Sequence, residues 1–229
     1  MRQALREWTK SIAFALVAWL LLRTFLVASF RITSGSMENT LLVADWLFVA
    51  KPLYGAEVPL IHAHLPAFRE PRRGEILVFD SVEQPGLAIV KRLIGIPGDT
   101  LEMRGGSLIR NRQPVAEPYV RHVDPTRSES PEMRAKMRAW QVRRLVTADT
   151  ASYAPDLQDW GPIVVASDSL FMMGDNRDES YDSRYWGFLP RANVEGTPVV
   201  IYFSYDPTSY KPLPFISAVR WGRLLSRPK

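Results

Sequence analysis

Two residues of this chain, far apart in sequence, have the chemistry of a hydrolytic pair. Ser36 sits in Ser34-Gly35-Ser36-Met37, and Lys91 sits in Val90-Lys91-Arg92-Leu93-Ile94-Gly95-Ile96-Pro97-Gly98-Asp99. A serine hydroxyl is a weak nucleophile until a base takes its proton, and a lysine amine can be that base. A free lysine titrates near ~10.4, so at pH 7 less than ~0.1% is neutral amine. Desolvation disfavours the ammonium, and a drop of about two to three pH units makes the amine a competent base.

Each residue also has an ordinary reading. Ser-Gly-Ser is commonly just a turn. Lys91 and Arg92 lie in a strand-like run, where alternation turns one of them inward; on an edge strand both are solvated. A third segment supplies candidate partners: Gly174-Asp175-Asn176-Arg177-Asp178-Glu179-Ser180-Tyr181-Asp182-Ser183-Arg184. It reads as a salt-bridged loop that props a site, or as a solvated acidic loop. Calcium is a poor fit, because Arg177 and Arg184 interleave with Asp175, Asp178 and Asp182 and the spacing fails the EF-hand pattern. His62, His64 and His122 complete no metal cluster, and a serine–histidine triad requires one of them to reach Ser36. No metal and no cofactor is expected.

The elements that must position these groups begin with an apolar segment. Ser11 to Phe30 is almost uninterrupted apolar sequence, broken by Arg23 and Thr24, and as a helix it spans about one hydrocarbon core. Arg2, Arg6 and Lys10 precede it against Glu7 alone, so the positive-inside rule places residues 1–10 in the cytoplasm, 11–30 in the membrane and the rest outside. A cleavable leader is the alternative; the run is long for one, and Ala28-Ser29-Phe30 is its nearest cleavage site. An outward-facing body argues against nucleic acid as the partner of the +5 net charge. That charge gathers in a basic tail, 206–229, where Trp221, Leu224 and Leu225 stand among Lys211, Arg220, Arg223, Arg227 and Lys229. The tail is read either as a lipid contact or as a frayed terminus.

The body reads as mainly β. Val43–Lys51, Glu75–Phe79, Leu87–Ile94, Asp168–Met173 and Pro198–Tyr205 are short runs rich in branched and aromatic residues, bounded by Gly, Pro or Asp. Ser107–Arg110 and Gln113–Val115 suggest a hairpin turning at Asn111-Arg112, with Arg112 a poorer turn residue than glycine. One helix is expected after Ser130, with Ser130 as N-cap, Pro131 first in the helix, and Met133, Met137 and Trp140 on one face. That stripe either packs on the sheet or meets headgroups or substrate. The 229 residues contain no cysteine, which excludes disulfides and cysteine-based metal sites.

Taken together and in order, the three segments resemble the boxes of type I signal peptidases, the membrane-bound serine proteases that remove secretory leaders. Further similarity covers Pro71-Arg72-Arg73-Gly74-Glu75, Trp160-Gly161-Pro162 and Tyr185-Trp186-Gly187-Phe188-Leu189-Pro190. The sequence departs from the family pattern at Asn39 and Thr33, where proline is usual.

The resemblance implies an antiparallel β catalytic core at 31–103 and 166–205, a smaller β-containing insertion at 104–165, and one transmembrane helix before them. It implies Ser36 as nucleophile, Lys91 as general base, Ser180 orienting the amine, and the Ser36 amide with the Ser34 hydroxyl as oxyanion hole. It implies an Asp182–Arg184 salt bridge with Asp175 nearby. Substrates would be secretory preproteins, cleaved after Ala-x-Ala-type sequences at the outer face of the plasma membrane, beside lipid and the translocon. Two other readings share features with this one: a soluble self-cleaving repressor with the same dyad, and a membrane-tethered, non-enzymatic binding module.

Overall fold

The computed structural model describes residues 7–15, 27–55, 57–58, 63–64, 67–124, 127–146 and 150–228. In chain order the strands are β1 (Val27–Arg31), β2 (Asp45–Ala50), β3 (Glu57–Val58), β4 (Ala63–His64), β5 (Ile76–Asp80), β6 (Ala88–Gly95), β7 (Thr100–Arg104), β8 (Ser107–Arg110), β9 (Gln113–Pro114), β10 (Trp160–Val164), β11 (Ser169–Met173), β12 (Leu189–Pro190) and β13 (Val194–Ser204). Seven of them form one sheet in the order β1-β2-β13-β5-β6-β11-β12. A second, four-stranded sheet has the order β10-β7-β8-β9, and β3 pairs with β4. Every strand pair is antiparallel.

The main sheet is covered on both faces where β5 and β6 run. Along β5, Ile76 and Val78 pack with Ile32, Met37, Leu41 and Leu47, whereas Leu77 and Phe79 pack with Tyr54, Leu93 and Met172. That is why β5 reads as an unbroken apolar run rather than an alternating one. β6 pairs with β5 over Ala88–Arg92 and with β11 only from Arg92 to Gly95, so Lys91 sits where the second partner ends; the solvated reading of Lys91 and Arg92 fails because both are buried.

The second sheet begins at Thr100, ahead of the expected insertion boundary at 104. One core cluster joins it to the main sheet: Leu101, Met103, Leu108, Trp160 and Ile163 pack with Ile94, Phe171 and Met173. The expected helix forms at Pro131–Gln141, with the Met133 amide donating to the Ser130 hydroxyl. Met137 is fully buried in the same cluster, with Met133 and Trp140 against it, so the stripe faces protein.

Two expectations change. Residues 7–15 are helical, 16–26 lie outside the described residues, and Val27–Arg31 is a strand paired with β2. The end of the expected 11–30 span is therefore sheet, with Phe30 packed against the core and Arg31 donating to the Tyr205 hydroxyl at 3.0 Å. Among the described residues no helix is long and apolar enough to cross a membrane. The tail is not frayed: Ser226 bridges to Ile201 and Val219 to Tyr205, and Arg223 pairs with buried Asp45 at 2.5 Å.

The hairpin turn has positive φ at both Asn111 (53°) and Arg112 (67°), the signature of a type I′ turn. Asn111 also accepts from the Thr100 amide at 2.9 Å, whereas Arg112 occupies a left-handed conformation that costs an L-residue about 1–2 kcal/mol. Arg112→Gly is expected to stabilise the fold by about 1 kcal/mol, raising the melting midpoint by about 2–4 °C. An unchanged or lower midpoint in thermal unfolding counts against strain at Arg112.

Candidate active site

Ser36 lies in a single 3-10 turn, Gly35–Met37, that leaves the sheet after Ile32. Met37 pins the turn in the core beside Ile32 and Leu41. At the start of a helical turn the Ser36 amide has no carbonyl within the turn to bond. The Ser36 side chain is nearly buried, and the Ser34 and Ser36 hydroxyl oxygens are 3.4 Å apart. The turn is stitched to the 174–184 loop through Asn176, whose amide donates to Ser36 O at 3.1 Å and whose side chain donates to Gly35 O at 3.2 Å.

Lys91 comes from β6 and is 4% exposed. Its Nζ is in hydrogen-bond contact with Ser36 Oγ, its hydrogen-bond partner among the described residues. Burial, the largest effect, pushes the amine down from its ordinary value to about 8; Asp182 pulls it up, Arg184 down and Asp175 up. Adjacent Arg92 is equally buried, so both consecutive side chains are enclosed, where the sequence reading required only one. Arg92 makes a bidentate pair with Asp175, at 2.7 and 2.6 Å. Thr40 Oγ1 donates to the same carboxylate at 2.5 Å, and the Tyr119 ring stacks on the guanidinium at 3.8 Å.

Asp182 and Arg184 form a second, fully buried bidentate pair, with both contacts at 2.9 Å. Burial alone would raise the Asp182 carboxyl, but the Arg184 charge and hydrogen bonds outweigh it and hold the group below its usual range. Arg184 also donates to the Arg177 and Ser180 carbonyls at 2.7 and 3.2 Å, which fixes the backbone that carries Ser180. The Ser180 hydroxyl is buried, is not bonded to Lys91, and helps hold the Asp182 carboxyl below its usual range. The loop thus brings together Ser34, Ser36, Lys91, Ser180, Asp175, Asp182 and Arg184 in one cluster. His122 turns away to Asp178, at 3.0 Å; His62 and the side chain of His64 fall outside what is described.

Four participants were not singled out from sequence. Asn176 ties the loop to the Ser36 turn, and Arg92 and Thr40 hold Asp175. The strap at 117–122 crosses over them: Glu117 pairs with buried Arg177, Arg121 bridges to Asn176, and Tyr119 O accepts from Asn39 at 3.1 Å. The adjacent Lys91-Arg92 pair inside an apolar run was the available signal for Arg92; the strap carried none.

A cleft of about 340 Å³ opens at Ser36 and Lys91. Extended backbone borders it on two sides, at Arg31–Ser34 and Leu87–Val90, and Glu179 and Tyr181 complete the wall.

Residues 5–203 match the family described as signal peptidase, peptidase S26. This chain belongs to that family. Signal peptidase I of Pseudomonas aeruginosa is 34% identical over 93% of this chain and 78% of its own length. That of Leptolyngbya laminosa is 36% identical over 87% and 80%. A signal peptidase I P of Bacillus subtilis subsp. natto is 32% identical over 90% and 92%. The chain is thus a signal peptidase of the bacterial type I group, a serine peptidase that hydrolyses peptide bonds.

Gly174 shows how tightly the peptidase cluster is packed. A Cβ built there lies 2.3 Å from Ser180 Oγ and 2.4 Å from Ser36 O, closer than real side chains approach. Gly174→Ala is expected to separate the loop from the nucleophile turn and to lower kcat/KM by about 10² or more, as a misplacement of ~1 Å does. Activity within threefold of wild type in a preprotein cleavage assay counts against this packing.

Proposed function

We propose that this signal peptidase cleaves leader peptides from secretory preproteins through an acyl-enzyme on Ser36, with the neutral Lys91 amine as base. The observation that carries this reading is the buried amine in contact with Ser36 Oγ and held near 8. At pH 7 an amine of that strength is about 10% neutral, against less than ~0.1% for a free lysine. Lys91 takes the Ser36 proton as Oγ attacks the scissile carbonyl, and the oxyanion forms beside the Ser36 amide and the Ser34 hydroxyl. Lys91 then returns the proton to the departing amine. Water, deprotonated by Lys91, attacks the ester, and the proton goes back to Ser36 as the acid product leaves.

The Ser180 hydroxyl, buried in the same cluster, orients the amine, and Asp182, Arg184 and Asp175 support it. The substrate adds an extended strand between Arg31–Ser34 and Leu87–Val90, where side-chain pockets of limited size favour Ala-x-Ala. No metal or cofactor has a part in these steps.

The domain reading becomes 1–10 cytoplasmic, an anchor that ends before Val27, a core at 27–99 and 166–205, an insertion at 100–165 that begins with the second sheet, and the tail at 206–229. The helix at 7–15 exposes Trp8, Ile12 and Phe14, as a lipid-facing segment does. The body lies outside the plasma membrane, near the translocon that delivers its substrates.

Ser36→Ala and Lys91→Ala are each expected to abolish leader removal by detergent-solubilised enzyme. A functional base must be deprotonated, so kcat/KM should rise with pH and level off above about 8. A flat profile from pH 6 to 9, or cleavage by either variant, overturns the dyad.

The folded tail exposes Phe215, Ile216, Trp221 (75%) and Leu225 (77%). Phe215 adjoins Trp46, Tyr202 and Tyr205 on the strands that follow the proposed anchor. An apolar surface beside cations suits the membrane interface. In vesicles carrying brominated lipid, the full chain should lose tryptophan fluorescence that a Trp221→Phe variant does not have to lose. Equal quenching in the two proteins places Trp221 away from lipid.

A further inference from the structure

Peptide-bond chemistry accounts for Ser36, Lys91 and the loop that holds them, but not for Glu179. This residue stands exposed between two buried neighbours, Asp178 and Ser180. It lines the same cleft as Ser36 and Lys91. Its carboxylate accepts from Asn176 Nδ2 at 3.3 Å, and that same amide donates to Gly35 O, so Glu179 is one side chain removed from the nucleophile turn. Among the described residues no cation pairs with it. Arg177 is held by Glu117, Arg121 by Glu38 and Lys136 by Glu83. Arg31, on another wall of the cleft, is bonded to Tyr205 and lies over the Trp46 ring.

The wall that carries Glu179 is braced. Tyr181 Oη donates to Glu83 at 2.8 Å, and Lys136 from the Pro131–Gln141 helix reaches the same carboxylate at 2.7 Å. Tyr181 stacks on Tyr185 with ring centroids 5.2 Å apart. The β5–β6 turn, the helix and the 174–184 loop are thereby tied together, and a carboxylate without an ion pair is held in the wall of the cleft, with Arg127 lining a neighbouring pocket on its other side.

We propose that Glu179 is a specificity-determining residue: it selects against acidic and for basic side chains at the substrate positions nearest the scissile bond. This rests on reading the cleft as the substrate groove. A bound peptide displaces water from the cleft, so a substrate charge meets Glu179 in a medium less polarisable than bulk water. At a separation of ~7 Å and an effective dielectric of ~40, exchanging Glu for Lys in the substrate changes kcat/KM by about tenfold or more.

The test is a set of preproteins carrying Lys, Gln or Glu in turn at each of the three positions before and after the cleaved bond. They are assayed with the full chain at low salt and about one pH unit above the Lys91 value of about 8, where about nine-tenths of the amine is neutral. At one or two positions Lys should exceed Glu about tenfold, with Gln between them. Glu179→Gln should bring that ratio close to one, and Glu179→Lys should invert it. High salt should shrink the wild-type ratio, because the groups are solvent-accessible and screened at ~1 M; this arm needs no variant. A Lys/Glu ratio near one at every position overturns the inference, as does a ratio indifferent to Glu179→Gln or to salt. Those outcomes leave the dyad intact so long as cleavage still requires Ser36; cleavage by Ser36→Ala overturns the groove reading itself.

Discussion

On the proposed mechanism a lysine amine works as a base only if it is buried, and burial is what the structure around Lys91 provides. Holding Lys91 near 8 disfavours its ammonium form by an amount on the order of 3 kcal/mol. That is a large share of a net folding stability of ~5–15 kcal/mol. The carboxylates closest to the amine work against it, since Asp182 and Asp175 both favour the ammonium. Each is held by its own arginine, Asp182 by Arg184 and Asp175 by Arg92, in bidentate buried pairs. The Arg184 charge offsets much of the Asp182 field, which leaves desolvation as the dominant effect on Lys91. The ion pairs therefore do more than hold a loop: they let acidic residues line the site without restoring the proton to the base.

The same pairs explain why the insertion cannot be considered separately from the core. Tyr119 covers Arg92, Glu117 holds Arg177, and Tyr119 O receives Asn39. Asn39 has φ of 91°, a conformation closed to proline, whose ring fixes φ near −65°. The segment after Ser36 is tied to the strap by the Asn39 side chain, which donates to Tyr119 O. The turn that carries Ser36 is thus braced by a long-range contact from the strap at 117–122.

Local signals were legible in the sequence and long-range pairings were not. The strands followed from short runs of branched and aromatic residues, the helix from Ser130 and Pro131, and the hairpin from Asn111. Ser36 and Lys91 stand out as a serine and a possible base and lie in contact, whereas Ser180, which the resemblance alone singles out, lies in the same cluster without a bond to the amine. Arg92 was visible only as half of an awkward pair, because alternation says one residue turns inward and is silent on whether both faces are covered. Glu117 and Tyr119 gave no signal, since a charge in a proline-rich connection looks solvated until its partner is known. The apolar span was taken through to Phe30 because an apolar run reads alike as helix or strand; pairing of Val27–Arg31 with β2 decides it.

That early switch from apolar segment to strand bears on how substrate reaches the site. β1 starts at Val27 and Ser36 follows it by only nine residues, about 30 Å if fully extended. On the proposed topology this short tether keeps the nucleophile near the bilayer surface, within reach of a leader still anchored in lipid. β1 runs directly into Ile32–Ser34, one of the two extended walls of the cleft. A leader leaving the bilayer would then be paired along a wall that itself rises from the bilayer, so that its cleavage point is set by distance from the membrane as well as by side-chain fit. On this view the exposed aromatic surface around Trp46, Tyr202 and Phe215 has a geometric role, since resting it on the interface would fix the tilt of β1 and β2 and with it the height of Ser36.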